Sequence, residues 1–368
     1  MLHRAAIAAL RVMFLVTLVT LVCCSKERPL QSPPTKYLLY VGMGGRSPLF
    51  TSYVLVADCA TDSVIDSLGS AGYYNHQLML VRTSPDGRYL FLGFSTGGAR
   101  IWDIASHAEI RNLGIFALRP IFVPKARSLV VFQPDSSHIY SIPDFTLVGK
   151  LPEVVGSGSL IPGTTRIVTI RQRSSSPPDV DFLTYDVVAR SFVDSLRLQA
   201  ADLGPDLYLF HWVYASELQR LYAICTDSIG TCLIGYDLRA RRLLFRSPAA
   251  EFSGRPWLNA TCDQVWVTYG TTSFGGPWPS YVSIYDGQSG AELERITPSR
   301  NLPGWGFAPG GVAFHPAGNK VYIQGATEDG QTQPVIAITT PGSEVQKVLF
   351  GDHAHLPVDI ALGIDPRP

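Results

Sequence analysis

Eight histidines, six cysteines and a recurring aspartate are the side chains of this sequence best equipped for chemistry. His353 and His355 stand in GDHAHLP, and His76 follows Tyr73 and Tyr74. Imidazoles gathered at one place would hold a divalent metal or move a proton. Arg119, His211, Trp257, Trp278 and Trp305 lie in other connecting segments. Basic and aromatic side chains in such segments anchor ligands or partners. Taken singly, each is also an ordinary loop or capping residue, and spacing alone does not bring them together. Cys225 and Cys232 flank a turn that contains Asp227, Ser228 and Gly230. In an exported protein that arrangement predicts a cross-strand disulfide, with about 2.5 kcal/mol from closing so short a loop. A metal is the rival there, but no His or further Cys lies near in sequence. Cys59 and Cys262 fall in unrelated turns and are expected as free thiols. No G-x-S-x-G, P-loop, H-E-x-x-H or dinucleotide fingerprint occurs, and Ser174, Ser175 and Ser176 ahead of Pro177 read as a turn. No catalytic residue, metal ligand or cofactor is assigned on this reading.

The elements that must position these residues are short strands. From Leu78 to Leu113 the runs LMLVRT, RYLFLGF, ARIWD and IRNL are each closed by turn residues. Together they predict a four-stranded antiparallel meander. Such a unit cannot bury both faces alone, which predicts copies of itself. The end of its third strand at Asp103 returns at Asp58, Asp186, Asp237 and Asp286, and more weakly at Asp144 and Thr340. Its first turn, SPDG at 84–87, returns as VPKAR, IPGTT, YASEL, ATCDQ and HPAG, about 38–55 residues apart. A short carboxylate there accepts a backbone N–H two residues on, so these aspartates are read as turn-makers, not catalytic acids.

The ends of the chain complete the pattern. KYLLYVGMGG begins with a second-strand run, and HLPVDIALGIDPRP ends as a lone first strand. Joined, they match GGVAFHPAGNKVYIQG at 310–325. The expected architecture is therefore all-β: seven four-stranded blades in a ring, with residues 357–364 supplying the first strand of blade one. Closure of this kind removes open sheet edges.

Charge and the N-terminus bound the setting. Thirty basic residues balance thirty acidic ones, which argues against a nucleic-acid partner. Residues 1–23 read as a signal segment: Arg4 and Arg11 precede an apolar run from Val12 to Val22 that is too short to span a membrane. LVCCS at 21–25 resembles the lipobox of bacterial lipoproteins, with Cys24 as the lipidated residue and Ser25 favouring the outer membrane. Residues 24–36 are a Pro-rich tether, and residues 37–368 form the single domain.

Across 37–368 the repeats resemble the YVTN-type bacterial β-propellers, which overlap with quinoprotein-dehydrogenase-like and lactonase-like seven-bladed propellers. TSPDGRYLFLGF with RIWDIASHAEIRNL, and VAFHPAGNKVYIQG, carry the resemblance. It implies that all blade-to-blade connections emerge on one face around a central channel, where His76, His353 and His355 would approach one another. Arg119, His211, Arg255, Trp257 and Trp305 would join that face. Long Gly/Pro-rich loops bring Phe274, Trp278 and Phe307 to it. The expectation is an exported, lipid-anchored monomer of the cell envelope that binds a protein, a small molecule or a glycan, with no cofactor. It would touch the membrane only through its anchor. The rival is a lactonase-like hydrolase or a quinoprotein-like oxidoreductase at the same channel mouth.

Overall fold

A computed structural model describes residues 35–45, 52–68, 78–95, 98–116, 119–133, 136–151, 157–172, 179–198, 208–226, 230–249, 253–259, 261–269, 281–297, 305–327, 335–339, 345–349 and 355–366. The signal segment and most of the tether lie outside these. Among the described residues the elements are strands, together with one 3-10 turn at Pro124–Ala126.

Blade one contains β1 (Tyr37–Gly45), β2 (Ser52–Asp58) and β3 (Ser63–Leu68). Blade two is β4 (Leu78–Thr83), β5 (Tyr89–Phe94), β6 (Ala99–Asp103) and β7 (Ala108–Asn112). Blade three is β8 (Arg119–Val123), β9 (Ser128–Phe132), β10 (Ser137–Ser141) and β11 (Leu147–Leu151). Blade four is β12 (Gly158–Leu160), β13 (Arg166–Gln172), β14 (Val180–Asp186) and β15 (Ser191–Leu198). Blade five is β16 (Tyr208–Ala215), β17 (Arg220–Thr226), β18 (Thr231–Asp237) and β19 (Arg242–Pro248). Blade six is β20 (Ser253–Leu258), β21 (Gln264–Tyr269), β22 (Tyr281–Asp286) and β23 (Glu292–Ile296). Blade seven is β24 (Trp305–Phe314), β25 (Lys320–Thr327), β26 (Val335–Thr339) and β27 (Val345–Leu349). The last strand, β28 (His355–Ile364), pairs antiparallel with β1, so that blade one runs β28-β1-β2-β3. Tyr37 lies opposite Ile364 and Val41 opposite Ile360 in that register.

Seven apolar clusters hold the blades together, one for each interface. Leu38, Tyr40 and Val54 of blade one pack with Leu90 and Phe94 of blade two. At the far side, Leu39, Val41 and Ile360 of blade one pack with Tyr322 and Val335 of blade seven. That seventh interface closes the ring. The fold is a seven-bladed β-propeller. Strand character follows position in the blade. Every residue of β5, YLFLGF, is buried because both faces meet a neighbouring blade, whereas every residue of the outer strand β7, AEIRN, is exposed.

The turns repeat as faithfully as the strands. In the first hairpin turn, the N–H of Gly87 donates to the Ser84 carbonyl at 2.9 Å, and Gly318 does the same to His315 at 2.8 Å. Arg127, Gln219 and Cys262 occupy the same left-handed position in blades three, five and six. Asp62, His107, Phe145, Arg190 and Arg241 do so in the third-to-fourth turns. Positive φ is thus a property of the repeat here, not a mark of a strained functional residue. The third-strand aspartates work as expected. Asp103 Oδ1 accepts the Ser106 N–H at 2.9 Å, Asp186 Oδ1 the Ala189 N–H at 3.0 Å and Asp286 Oδ1 the Ser289 N–H at 2.6 Å. Those donors, together with nearby hydroxyls, hold all three carboxyls below the usual range.

Candidate functional site

The first strand of each sheet lies against the first strands of neighbouring blades: β4 and β24 against β28, and β20 against β16 and β24. A side chain on one of these strands can therefore meet partners from blades far apart in sequence. Arg82 and Asp359 do so, and three further polar side chains stand on first strands. Arg82 comes from β4, Arg119 from β8, His211 from β16, Arg255 from β20 and Asp359 from β28.

Among the described residues, Asp359 is the one acid acting on the arginines of this group. It is buried, and its Oδ2 accepts the Val81 N–H at 3.0 Å and the Arg82 Nη1–H at 2.5 Å. The Arg82 and Asp359 side chains are 27 and 8 % exposed. Arg119 and Arg255 form no ion pair or side-chain hydrogen bond among the described residues. Burial pushes the Arg119 guanidinium down to about 9, and the positive charges of Arg255 and Arg82 add to that displacement. Burial also lowers Arg255, with Arg82 acting in the same sense and Asp359 opposing it. His211 is pushed down to about 4, first by burial and then by Arg255 and Arg119, so its imidazole is neutral near pH 7. All five stand on the first strands of their blades, which pack against one another around the ring. Among the described residues, three half-buried guanidiniums, one buried carboxylate and a neutral imidazole make a cation-rich set on the inner strands. Such a set holds anionic oxygen acceptors.

Of the residues singled out in the sequence, Arg119, His211 and Arg255 stand on these first strands. Trp257 is on β20 too, but it packs beside Trp266 and Ile284 in the core between blades six and seven, with its indole N–H buried and unpaired among the described residues. His76, Trp278 and His353 lie outside the described residues. His355 and Trp305 start β28 and β24, but their side chains also lie outside the description. No group of three or more metal-ligating side chains occurs among the described residues.

Sequence reading missed Arg82 and Asp359 because one ends an apolar run and the other sits inside one. A signal did exist. Arg119 and His211 each stand five residues ahead of the residue whose carbonyl closes the first turn, Pro124 and Ser216. Charge at that inner-strand phase interrupts an otherwise apolar repeat.

The cysteines show one difference from expectation. Cys225 lies directly opposite Cys232 in the β17–β18 register, yet both are free thiols in place of the expected disulfide. Both sit in the apolar cluster between blades four and five, and burial pushes the Cys225 thiol up, against the thiolate that disulfide formation needs. Cys59 and Cys262 are free thiols as well. Burial raises both, Cys59 to about 12.

No protein-family description matches the chain. No curated protein matches it either. Solved structures do. A functionally unknown protein from Desulfotomaculum acetoxidans DSM 771 matches with a TM-score of 0.60 at 13 % identity, covering 88 % of this chain and 99 % of that one. The β-propeller domain of Myceliophteria thermophila Cps50 (Swd1) matches with a TM-score of 0.54 at 15 % identity, covering 76 and 87 %. At such identities the likeness is one of fold.

Proposed function

We propose that the protein is an exported, lipid-anchored propeller of the YVTN type that works as a binding or interaction module of the cell envelope. Its ligand would enter from the loop-rich face and reach the axis. The observation that carries this reading is the convergence of Arg82, Arg119, His211, Arg255 and Asp359 on the inner strands. These are the positions where a propeller repeat has least structural need of charge. The lipobox-like LVCCS supports the anchor, and the near-balance of charge speaks against nucleic acid.

Two measurements test it. Replacing Cys24 by Ser should move the protein from the membrane fraction to the soluble envelope fraction; continued membrane binding would overturn the anchor. Elemental analysis and a visible spectrum of the purified protein should show neither a stoichiometric metal nor a chromophore. Either one would replace the binding module with a hydrolase or oxidoreductase built at the same axis.

A further inference from the structure

We infer that the axial cluster binds a small dianionic oxyanion, a phosphate group or a polycarboxylate, between Arg119 and Arg255. The inference rests on the axial reading above and names the chemistry of its ligand. Buried cations in folded proteins are normally paired, because stripping water from an unpaired charge is costly. Here the available carboxylate is already engaged. Asp359 is held by Arg82 and by the Val81 N–H, and it reaches Arg119 and Arg255 only through its field. Two half-buried guanidiniums, one from blade three and one from blade six, thus keep their N–H donors uncommitted among the described residues.

Charge sets the class of ligand. Among the described residues, three guanidiniums stand against one carboxylate, with His211 neutral, an excess of two positive charges that a dianion neutralises. Geometry points the same way. A planar guanidinium presents paired donors that match the oxygens of phosphate or carboxylate, and two of them from well-separated blades grip an anion from two sides. The neutral His211 ring adds a donor or an acceptor without adding charge.

The test is calorimetric titration of the full-length mature protein with inorganic phosphate and with citrate, using chloride at matched ionic strength as reference. One saturable binding event is expected with at least one of the two anions, and none with chloride. Phosphate alone would mark a phosphate-group site, and citrate alone a polycarboxylate site. R119Q and R255Q should each weaken binding about 10- to 100-fold, the loss that follows from removing one charge-assisted hydrogen-bonding partner. D359N, which removes the competing negative charge but keeps an acceptor for Val81, should tighten it. Without ligand, R119Q should melt no lower than the parent, because it removes an uncompensated buried charge. A purely structural arginine would give a lower melting temperature. Absence of saturable heat with both anions, an equal response to chloride, or unchanged affinity in both arginine variants would each overturn the anion site. If the anions fail but a neutral glycan or a peptide shifts the melting temperature, the binding module stands without this ligand class. If the anions bind and turnover depends on His211, the anion site stands and the binding-only reading falls.

Discussion

Gly87 offers a way to test ring closure with a single methyl group. It sits in the first turn of blade two with φ +72°, and an ideal Cβ there would lie 2.0 Å from the carbonyl oxygen of Ile364, at the end of β28. Gly318 occupies the same turn position in blade seven with φ +71°, and a Cβ there meets nothing within 4 Å. The two Gly→Ala changes therefore share the backbone penalty of a left-handed alanine, about 1 kcal/mol. They differ only in the collision. Pushing a backbone carbonyl aside adds about 1–3 kcal/mol, in the range of overpacked sites. G318A should cost about 1 kcal/mol and G87A about 2–4 kcal/mol, read as shifts of the urea unfolding midpoint. The excess belongs to β28, so removing the residue it collides with should remove the excess. In a chain ending at Gly363, G87A should cost no more than G318A does, a coupling of about 2 kcal/mol in a double-mutant cycle. Equal costs for the two alanines in the full chain, or no coupling with the truncation, would refute the placement of the last strand against blade two.

Removing residues 357–368 altogether should abolish the cooperative thermal transition. The loss takes away most of the pairing with β1 and the buried Ile360 at the blade one–seven interface; a truncated protein that melts like the parent would sink the closure argument. Stability should fall as pH drops from 6.5 towards 4. Over that range the unfolded chain protonates His211 while the folded chain, with its value near 4, does not. The full displacement, discounted for solvent screening, amounts to about 2 kcal/mol, and it should vanish in H211N when urea midpoints are compared at pH 7 and 4. Cys225 should resist alkylation in the folded protein while the less buried Cys262 reacts, as mass spectrometry of modified peptides would show; rapid labelling of Cys225 would contradict its packed setting. Oxidation of the protein should nonetheless join Cys225 to Cys232, since their strands already hold them opposite each other, and quantifying thiols after unfolding would reveal it.

The propeller was legible because the repeat writes itself in turn chemistry as well as in hydrophobicity. Asp103, Asp186 and Asp286 accept turn N–H groups, and the SPDG-type turn recurs with the same hydrogen bond, so each copy supports the others. Closure was legible because a lone first strand at one end and a missing one at the other are complementary only in a ring. The site was half legible. Arg119, His211 and Arg255 stood out as polar residues in connections, but Arg82 and Asp359 lie in runs that periodicity assigns to the core, and nothing local distinguishes a strand facing the axis from one facing a neighbour. Trp257 shows the opposite case. A bulky aromatic near a connection looks like an anchor, yet its ring fills the space between blades six and seven.

The repeat also tells which unusual features to set aside. Left-handed Arg127, Gln219, Cys262 and Arg241 would each merit suspicion in a fold without internal symmetry. Here the same backbone position is left-handed in blade after blade, whichever residue occupies it, so the conformation serves the hairpin. The half-buried triad of Lys320, Asp62 and Tyr322 falls to the same logic. Lys320 Nζ donates to Asp62 at 2.8 Å and Tyr322 donates to it at 2.8 Å, pinning blade seven to a turn of blade one. Tyr222 of blade five likewise donates to the Gly287 carbonyl of blade six at 2.8 Å. What recurs is structural. The axial charges do not recur. Blade two offers an arginine that reaches Asp359, blades three and six offer arginines with no carboxylate partner among the described residues, and blade five offers a histidine kept neutral by burial and by those arginines. A ring built of near-equivalent blades gains nothing in stability from gathering, on its inner strands, cations that no described carboxylate pairs. Their presence there is the part of this sequence that the fold does not require, and so the part for which a ligand is the physical explanation.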